Sequence, residues 1–219
     1  HDPLRRQRQM CIRDSFVANV NAVIGTGTGD KGYGLSEVST VSAGGTIQAS
    51  DWNSLLSGLQ TGANHQGTTL TNASNTVSTG GNIVPLSNLG ADITLIDTNR
   101  LTAAGANMST GVAGVTSTRT TQWNSSVTHT FTVTYASANA ARHFFNSGGK
   151  IKMAFARSGG SSTNQNTSWT NLFSDLGTVS MAANGTTISG SSQGGNGANG
   201  SRGFHQLTAS PAEILNTTS

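Results

Sequence analysis

Length, composition and charge limit what this protein can be. The chain has 219 residues, a net charge of +3 and only 10% charged residues, against roughly 25% in ordinary soluble domains. This argues against a disordered chain, because disordered sequences usually combine low hydrophobicity with many charges. Runs of Thr, Val, Ser and Gly with short polar turns instead favour a packed, mainly β protein of the extracellular or virion type.

The distribution of charge and cysteine argues against several partners. Residues 1–15 hold four of the twelve Lys/Arg and two of the nine Asp/Glu, so the remainder carries only +1 and forms no basic stripe. Nucleic-acid binding needs clustered cations and is not expected. No apolar run reaches the 18–20 residues of a membrane span, so no membrane partner is expected. Cys11 is the only cysteine, which excludes intrachain disulfides and thiolate metal sites.

The basic N-terminal stretch differs from everything that follows it. Residues 5–15 read RRQRQMCIRDS. The final MCIRDS is what ATG TGT ATA AGA GAC AGx encodes when x completes a serine codon, and this string resembles a transposase adapter used in sequencing libraries. We interpret residues 1–15 as translated adapter rather than native protein.

Two helical segments are predicted in the first part of the chain. Residues 16–24 have apolar side chains at helical spacing and Gly25 as a stop. The second segment follows Thr46, with Ser50 or Asp51 as N-cap and Gly62 as terminator. Three pairs at one fixed offset suggest a duplicated helix-and-turn unit whose first copy is cut short. These pairs are Phe16 with Trp52, Val20 with Leu56, and Val23 with Leu59.

A third helix is predicted to begin after Pro85 and to run from Leu86 to about Arg100, with Leu89, Ile93 and Ile96 on one face. Residues 16–101 are therefore expected to form a helical, linker-like N-terminal region.

The clearest strand pattern lies further on, in SVTHTFTVTY. Apolar residues and His129 alternate with threonines over residues 127–135, which is typical of a half-buried antiparallel strand. His129 would then be a hydrogen-bonded core histidine. Four further elements are predicted after this strand. They are a short helix capped by Ser137, a strand in KIKMAFAR, a helix that begins at Thr167 or Ser168, and a hairpin around Asn184–Gly185.

The sequence therefore predicts an α+β, mainly β fold. A helical N-terminal region would precede an antiparallel β-sandwich-like domain with short inserted helices over residues 102–219, truncated at its C-terminus.

No motif supports catalysis or a cofactor. Gly27, Gly29 and Gly32 match G-x-G-x-x-G, but a helix precedes them and no helix directly follows, so a loop is the better interpretation. A G-x-S-x-G match at residues 190–194 lies in a Gly/Ser tract, where chance produces it. The histidines are not spaced for a common metal ion, and no carboxylates form a close pair. We therefore expect that the protein is not an enzyme and that it has no cofactor and no metal site.

Two stretches resemble a family of virion structural proteins, the tail-associated or tail-fibre-like proteins of tailed bacteriophages. ARHFFNSGGKIKMAFARSGG (141–160) and NQNTSWTNLFSDLGTVSMAANGT (164–186) are similar to the pattern R-[YH]-F-F-N-S-G-G followed by Q-N-T-S-W. GTGTGDKGYG (25–34) and TIQASDWNSLLSGLQTGANHQG (46–67) are similar to the family's N-terminal part, where a helix ends near His-Gln-x-Gly. The resemblance implies an assembly component in the virion, with no catalytic residues to transfer.

Several residues are candidates for structural roles in the core, at turns or at a subunit interface. The two phenylalanines of FFNSGG are expected to pack where the backbone turns sharply at the glycine pair. The candidates are Trp52, Leu55, Leu59, Phe131, Phe144, Phe145, Asn146, Gly148, Gly149, Trp169 and Phe173.

The function predicted from the sequence is structural: a phage tail or tail-fibre component in the virion, homo-oligomeric and assembled with other virion proteins. A carbohydrate-binding adhesin module, viral or bacterial, is the first alternative, with a host-surface glycan as its partner. A secreted polysaccharide-degrading enzyme is a weaker alternative.

Overall fold

The protein is described by a computed structural model over residues 3–26, 32–42, 45–71, 76–79, 86–107, 115–121 and 126–190. These residues form five α-helices and three strands. The helices are α1 (Pro3–Ile24), α2 (Ala49–Gln66), α3 (Leu86–Thr98), α4 (Ala138–Asn146) and α5 (Asn164–Leu176), and the strands are β1 (Ile151–Ala154), β2 (Thr178–Ala182) and β3 (Gly185–Ile188). A short 3-10 helix spans Gly105–Asn107.

The hydrophobic core lies among the first three helices. Each contributes aliphatic side chains at helical spacing, so that one face is buried against the other two helices. Trp52 and Tyr33 are the aromatic members of this core. The fully buried large aliphatic side chains are Val17, Val20, Val23 and Ile24 of α1, Leu55 and Leu59 of α2, and Leu89 and Ile96 of α3.

The ends of α2 differ from those predicted. Gln48 is the N-cap, and Asp51 is the third helical residue, whose Oδ2 accepts a hydrogen bond from the Gln48 amide at 2.7 Å. The helix continues past Gly62 and ends at Gly67, which has φ +71°. Gly62 is buried inside the helix, where an added Cβ would lie 3.3 Å from Ile24 Cγ2. This glycine therefore permits close packing of α2 on α1.

The basic stretch is part of α1 rather than a separate arm. Arg13 is 1% exposed, and its Nη2 donates to the carbonyls of Ser39 at 2.9 Å and Asp51 at 3.1 Å. Its Nη1 also pairs with Asp14 at 3.1 Å. Arg13 thus joins α1 to the start of α2. The adapter hypothesis concerns the codons of residues 1–15 and stays a prediction.

Two asparagines hold the segments that follow their helices. Asn21 donates from Nδ2 to the carbonyl of Val38 and accepts from the Val38 amide, both at 2.8 Å. Asn53 does the same with Val77, at 3.0 Å and 2.8 Å. Each carboxamide therefore satisfies both backbone groups of one valine, as a neighbouring strand would.

These contacts relate α1 to α2 in a register that differs from the predicted duplication. The sequence comparison pairs Phe16 with Trp52, whereas the two asparagine contacts pair Asn21 with Asn53 and hence Val20 with Trp52. Val20 is 0% exposed and Trp52 is 4% exposed, while Phe16 is only partly buried. The burial pattern agrees with the pairing through asparagine.

The prediction of a mainly β, sandwich-like fold is wrong. The strands of the described residues form one antiparallel sheet of order β1-β2-β3, with Met153 opposite Val179 and Ser180 opposite Thr187. The predicted hairpin is confirmed, since Ala182 pairs with Gly185, but its two-residue turn is Ala183–Asn184, one position before the predicted Asn184–Gly185. This sheet is too small to supply the second layer that a sandwich requires.

The main cause of the error is the segment at residues 127–135. It belongs to no strand, and every side chain from Thr128 to Thr134 is exposed. Alternating apolar residues favour a strand, but a strand forms only when its backbone groups find a partner. No backbone–backbone hydrogen bond joins residues 126–135 to another described residue. The expected core position of His129 is also wrong, because its side chain is exposed and contacts Ser117 Oγ at 2.6 Å.

Candidate functional site: the contact between helix α4 and the helical core

Helix α4 carries the FFNSGG run and has well-defined ends. Ser137 is its N-cap, and the Ser137 hydroxyl accepts from the Ala140 amide at 3.0 Å, as predicted. At the other end, the amides of Gly148 and Gly149 donate to the carbonyls of Phe145 at 3.1 Å and Phe144 at 2.8 Å. The glycine pair therefore closes the last turn of the helix.

The end of α4 is joined to the loop that follows α1 through a buried side-chain amide. Asn146 is 4% exposed, and its Nδ2 donates to the carbonyl of Gly32 at 3.0 Å. His143 Nδ1 lies 3.2 Å from the same carbonyl. Because a carbonyl oxygen can only accept, Nδ1 must carry the proton in this contact. One carbonyl is thus bound by two side chains of α4.

A second histidine approaches the same helix end from α2. His65 Nε2 lies 2.7 Å from the carbonyl of Ser147, so the nitrogen is the donor. The His65 ring also lies 4.9 Å from the ring of Tyr33. The loop that contains Gly32 and helix α2, which carries His65, therefore both contact the end of α4.

Gly148 brings the backbone of α4 close to the loop after α3. It is buried, with φ +91°, and an added Cβ would lie 2.8 Å from the carbonyl oxygen of Leu101 and 3.2 Å from the amide nitrogen of Ala103. A side chain would therefore meet backbone that cannot move away easily, and it would also have to adopt an unfavourable conformation. We call the contact formed by Gly32, Tyr33, His65, Leu101, His143, Asn146, Ser147 and Gly148 the α4 junction.

Buried polar groups hold the far side of the junction in place. The Tyr33 hydroxyl donates to the carbonyl of Arg100 at 2.6 Å and accepts from Gln66 Nε2 at 2.8 Å. Gln66 Nε2 also donates to the carbonyl of Ile96 at 2.8 Å. Burial raises the pKa of Tyr33 above its usual 10.0, although the Gln66 hydrogen bond and the Arg100 charge act in the opposite direction. Tyr33 therefore remains a neutral donor at physiological pH.

The structure separates the candidate residues into three groups. Trp52, Leu55 and Leu59 are buried in the three-helix core. Five candidates lie on α4 or its C-terminal turn, where the Tyr135 ring contacts both phenylalanines at centroid distances of 5.5 and 6.3 Å. These five are Phe144, Phe145, Asn146, Gly148 and Gly149.

The remaining candidates lie away from the junction. Phe131 is 40% exposed and stands outside the core. The Phe173 ring stacks on Phe155 at 5.9 Å and contacts Trp169 at 5.7 Å. Helix α5, which carries Trp169 and Phe173, has Thr163 as N-cap rather than the predicted Thr167 or Ser168, and none of its residues is buried.

Sequence reasoning missed the junction's partners outside α4. His143 of α4, which was not identified as a site residue either, contacts the carbonyl of Gly32. His65, Tyr33 and Gln66 were not identified as site residues. The available signal was their position in two stretches that carry the resemblance, because GTGTGDKGYG contains Tyr33 and the end of α2 contains His65 and Gln66.

The α4 junction holds α4 in place relative to α2 and to the loop after α1. The side-chain donors of the junction, Asn146, His143 and His65, are all hydrogen-bonded to backbone carbonyls. Among the described residues, no three His, Cys, Asp or Glu side chains lie together as a metal would require. The helices in the described part are all too short or too polar to cross a lipid bilayer. Gly27, Gly29 and residues 191–194 of the two glycine motifs lie outside the described residues.

No family model, curated protein or solved structure matches this chain. The resemblance carried by FFNSGG and QNTSW therefore remains a hypothesis based on the sequence.

Proposed function

We propose that this chain is a structural component of a bacteriophage virion, in the tail or tail fibre, where it acts in assembly rather than catalysis. Its partners would be other virion proteins and further copies of itself. The observation that carries the proposal is the use of FFNSGG in the α4 junction. The run on which the resemblance is based supplies Asn146 and Gly148 to a buried contact between distant parts of the chain.

The chemistry of this contact supports an architectural role. Asn146 donates to Gly32, and the Gly148 backbone packs against Leu101. A buried amide of this kind specifies one arrangement of two segments, because any other arrangement leaves it without its partner. A motif used in this way preserves the relative position of parts, which is what an assembly subunit requires.

The surface of the second half also supports assembly. Val133 is 52% exposed, Phe155 39% and Phe144 37%. Burying exposed apolar side chains such as these against another protein is favourable. A subunit that buries these side chains only on joining its neighbours would have this surface.

A glycan-binding adhesin module is the second candidate, and one feature favours it. Phe155, Phe173 and Trp169 form a contiguous aromatic group, with an angle of 22° between the planes of the two stacked phenylalanine rings. Aromatic side chains such as these bind ligands that have both an apolar and a polar surface. A sugar ring has both surfaces.

The virion proposal is tested on particles. Virions of the phage that carries this gene are purified by density gradient, and their proteins are quantified by mass spectrometry. Peptides from residues 16–190 at a constant copy number per major capsid protein would support the proposal. Their absence from intact particles would refute it, and flanking genes that encode a secretion system would contradict it as well.

The adhesin candidate is tested on the isolated chain with a glycan array. We expect Phe155→Ala to abolish any binding, whereas Leu35→Ala, which truncates another exposed apolar residue at 46% exposure, should leave binding unchanged. Binding that survives Phe155→Ala would exclude the aromatic group as the site.

A further inference from the structure

Residues 127–135 have the sequence of a strand but no backbone hydrogen-bond partner among the described residues, although the side chains of His129 and Tyr135 contact Ser117 and the two phenylalanines of α4. The nine residues read VTHTFTVTY, with apolar residues or His129 at every second position. Phe131 and Val133 are 40% and 52% exposed. No backbone–backbone hydrogen bond joins residues 126–135 to any other described residue. The segment therefore offers both backbone groups and apolar side chains to a partner.

The segment also lacks the features that keep exposed strands apart. Proteins usually protect such strands with charged residues or proline, because unpaired backbone groups otherwise pair with another chain. Residues 120–141 contain no Lys, Arg, Asp, Glu or Pro. The lack of protection over these residues favours pairing.

The order of residues makes the segment complementary to itself. In an antiparallel pair centred on Phe131, this residue faces its own copy, and all nine residues take part. His129 then faces Val133, and Val127 faces Tyr135. Every threonine faces another threonine, on the opposite side of the ribbon. Aromatic–β-branched and Thr–Thr pairs across strands are stabilising, and the neutral segments bring no like charges together.

We propose that residues 127–135 pair antiparallel with the same segment of a second copy of this chain, around a two-fold axis at Phe131. Nine residues give a ribbon about 30 Å long. An interface of this type presents the same patch from both subunits, as two-fold dimers require. The inference deepens the proposed assembly role, and rests on that role for its biological meaning.

Disulfide trapping tests the register directly. The full chain carrying Cys11→Ser is combined with Phe131→Cys, or with Leu35→Cys as the control, which replaces an apolar residue of similar exposure. Directly opposed residues have Cβ atoms about 4.5–5.5 Å apart, close enough for a disulfide after a small adjustment. After mild oxidation, non-reducing gels should show a covalent dimer with Phe131→Cys and monomer with Leu35→Cys. Equal cross-linking of both variants, or none with Phe131→Cys, would overturn the proposal.

Light scattering during size-exclusion chromatography tests the interaction without cross-linking. The unmodified chain should dimerise with rising concentration, and Phe131→Lys should weaken dimerisation at least tenfold, while Leu35→Lys should not. Mixing Phe131→Lys with Phe131→Glu should restore dimers, because the opposite charges then face each other. Circular dichroism should show the same helix content throughout, since Phe131 lies outside the core. A chain that stays monomeric, or whose dimers persist with Phe131→Lys, would contradict self-pairing.

The two proposals fail separately. A monomeric chain that is nevertheless found in virions would refute self-pairing alone. A dimer that depends on Phe131, from a protein absent from virions, would refute the virion proposal alone.

Discussion

The carboxamide of Asn146 donates to the main-chain carbonyl of Gly32 across 3.0 Å, although 114 residues separate them in the chain. The bond is buried, so water could not replace the Asn146 amide as donor to the Gly32 carbonyl if that amide were removed. It connects the helix that carries FFNSGG to the loop that follows α1. The contact is therefore the natural place to test how the two parts of the chain are joined.

Asn146→Ala should destabilise the α4 junction. A buried polar group that loses its partner costs about 1–3 kcal/mol in the free energy of unfolding, and His143 remains as a second donor to Gly32. We therefore expect a loss of about 1–2 kcal/mol in urea denaturation. Asn139→Ala, on the exposed face of the same helix, is the control and should change stability by less than about 0.5 kcal/mol. Equal effects of the two substitutions would contradict the role given to Asn146.

Gly148→Ala should be more costly than a substitution at another glycine with positive φ. At Gly148 the new Cβ would meet the Leu101 carbonyl, whereas at Gly159, with φ +73°, it would meet nothing within 4 Å. The unfavourable backbone conformation costs on the order of 1 kcal/mol at both positions, and the steric contact adds to it only at Gly148. Thermal melts of Gly148→Ala and Gly159→Ala should show the larger drop in Tm for Gly148→Ala. A similar drop for both would mean that the Leu101 loop simply moves away.

Asn21→Ala should release the segment around Val38. The Val38 amide donates to Asn21 Oδ1 at 2.8 Å, so hydrogen exchange at this amide should accelerate at least tenfold when the acceptor is removed. Asn19→Ala, on the exposed side of α1, should leave this exchange unchanged. Unaltered exchange at Val38 in Asn21→Ala would show that other contacts protect the segment.

The buried hydroxyl of Tyr33 makes stability fall at alkaline pH. Because its pKa is raised in the folded state above about 10, the stability that neutral Tyr33 contributes is complete below pH 10 and is lost as the pH rises through the folded pKa. Tyr33→Phe should therefore flatten the decline in Tm above pH 10. It should also cost about 1 kcal/mol at pH 7, because Arg100 and Gln66 lose a hydrogen-bond partner.

Tyr135→Phe is the matched control for the Tyr33 prediction. Burial raises the pKa of Tyr135 as well, but its buried hydroxyl has no hydrogen-bond partner among the described residues. Removing that hydroxyl should cost little at pH 7 while also reducing the alkaline decline. If Tyr33→Phe and Tyr135→Phe were equally harmless at pH 7, the hydrogen bonds of Tyr33 would contribute nothing measurable.

Much of the helical structure could be predicted from the sequence, and the errors in that prediction concern the ends of individual helices. The spacing of Leu89, Ile93 and Ile96 predicts α3, and Ser137 predicts the start of α4. The cap of α2 was misplaced, because Gln48 forms a capping box with Asp51, a pairing that propensity alone ranks below a serine or aspartate cap. The α4 junction was not predicted, because the resemblance singles out the stretches that contain Gly32 and His65 but does not indicate that both contact α4.

The positions of the helices could be predicted from local sequence, because helical hydrogen bonds, caps and apolar faces involve residues only a few positions apart. The adjacent Asn184 and Gly185 also predict the β2–β3 hairpin, although its two turn residues are Ala183 and Asn184 and Gly185 begins β3. The three-dimensional structure was needed to show that residues 127–135 form no strand and that Asn146 contacts Gly32. A strand and a buried amide both depend on a partner elsewhere in the chain, and local alternation or a glycine pair does not say whether that partner is present.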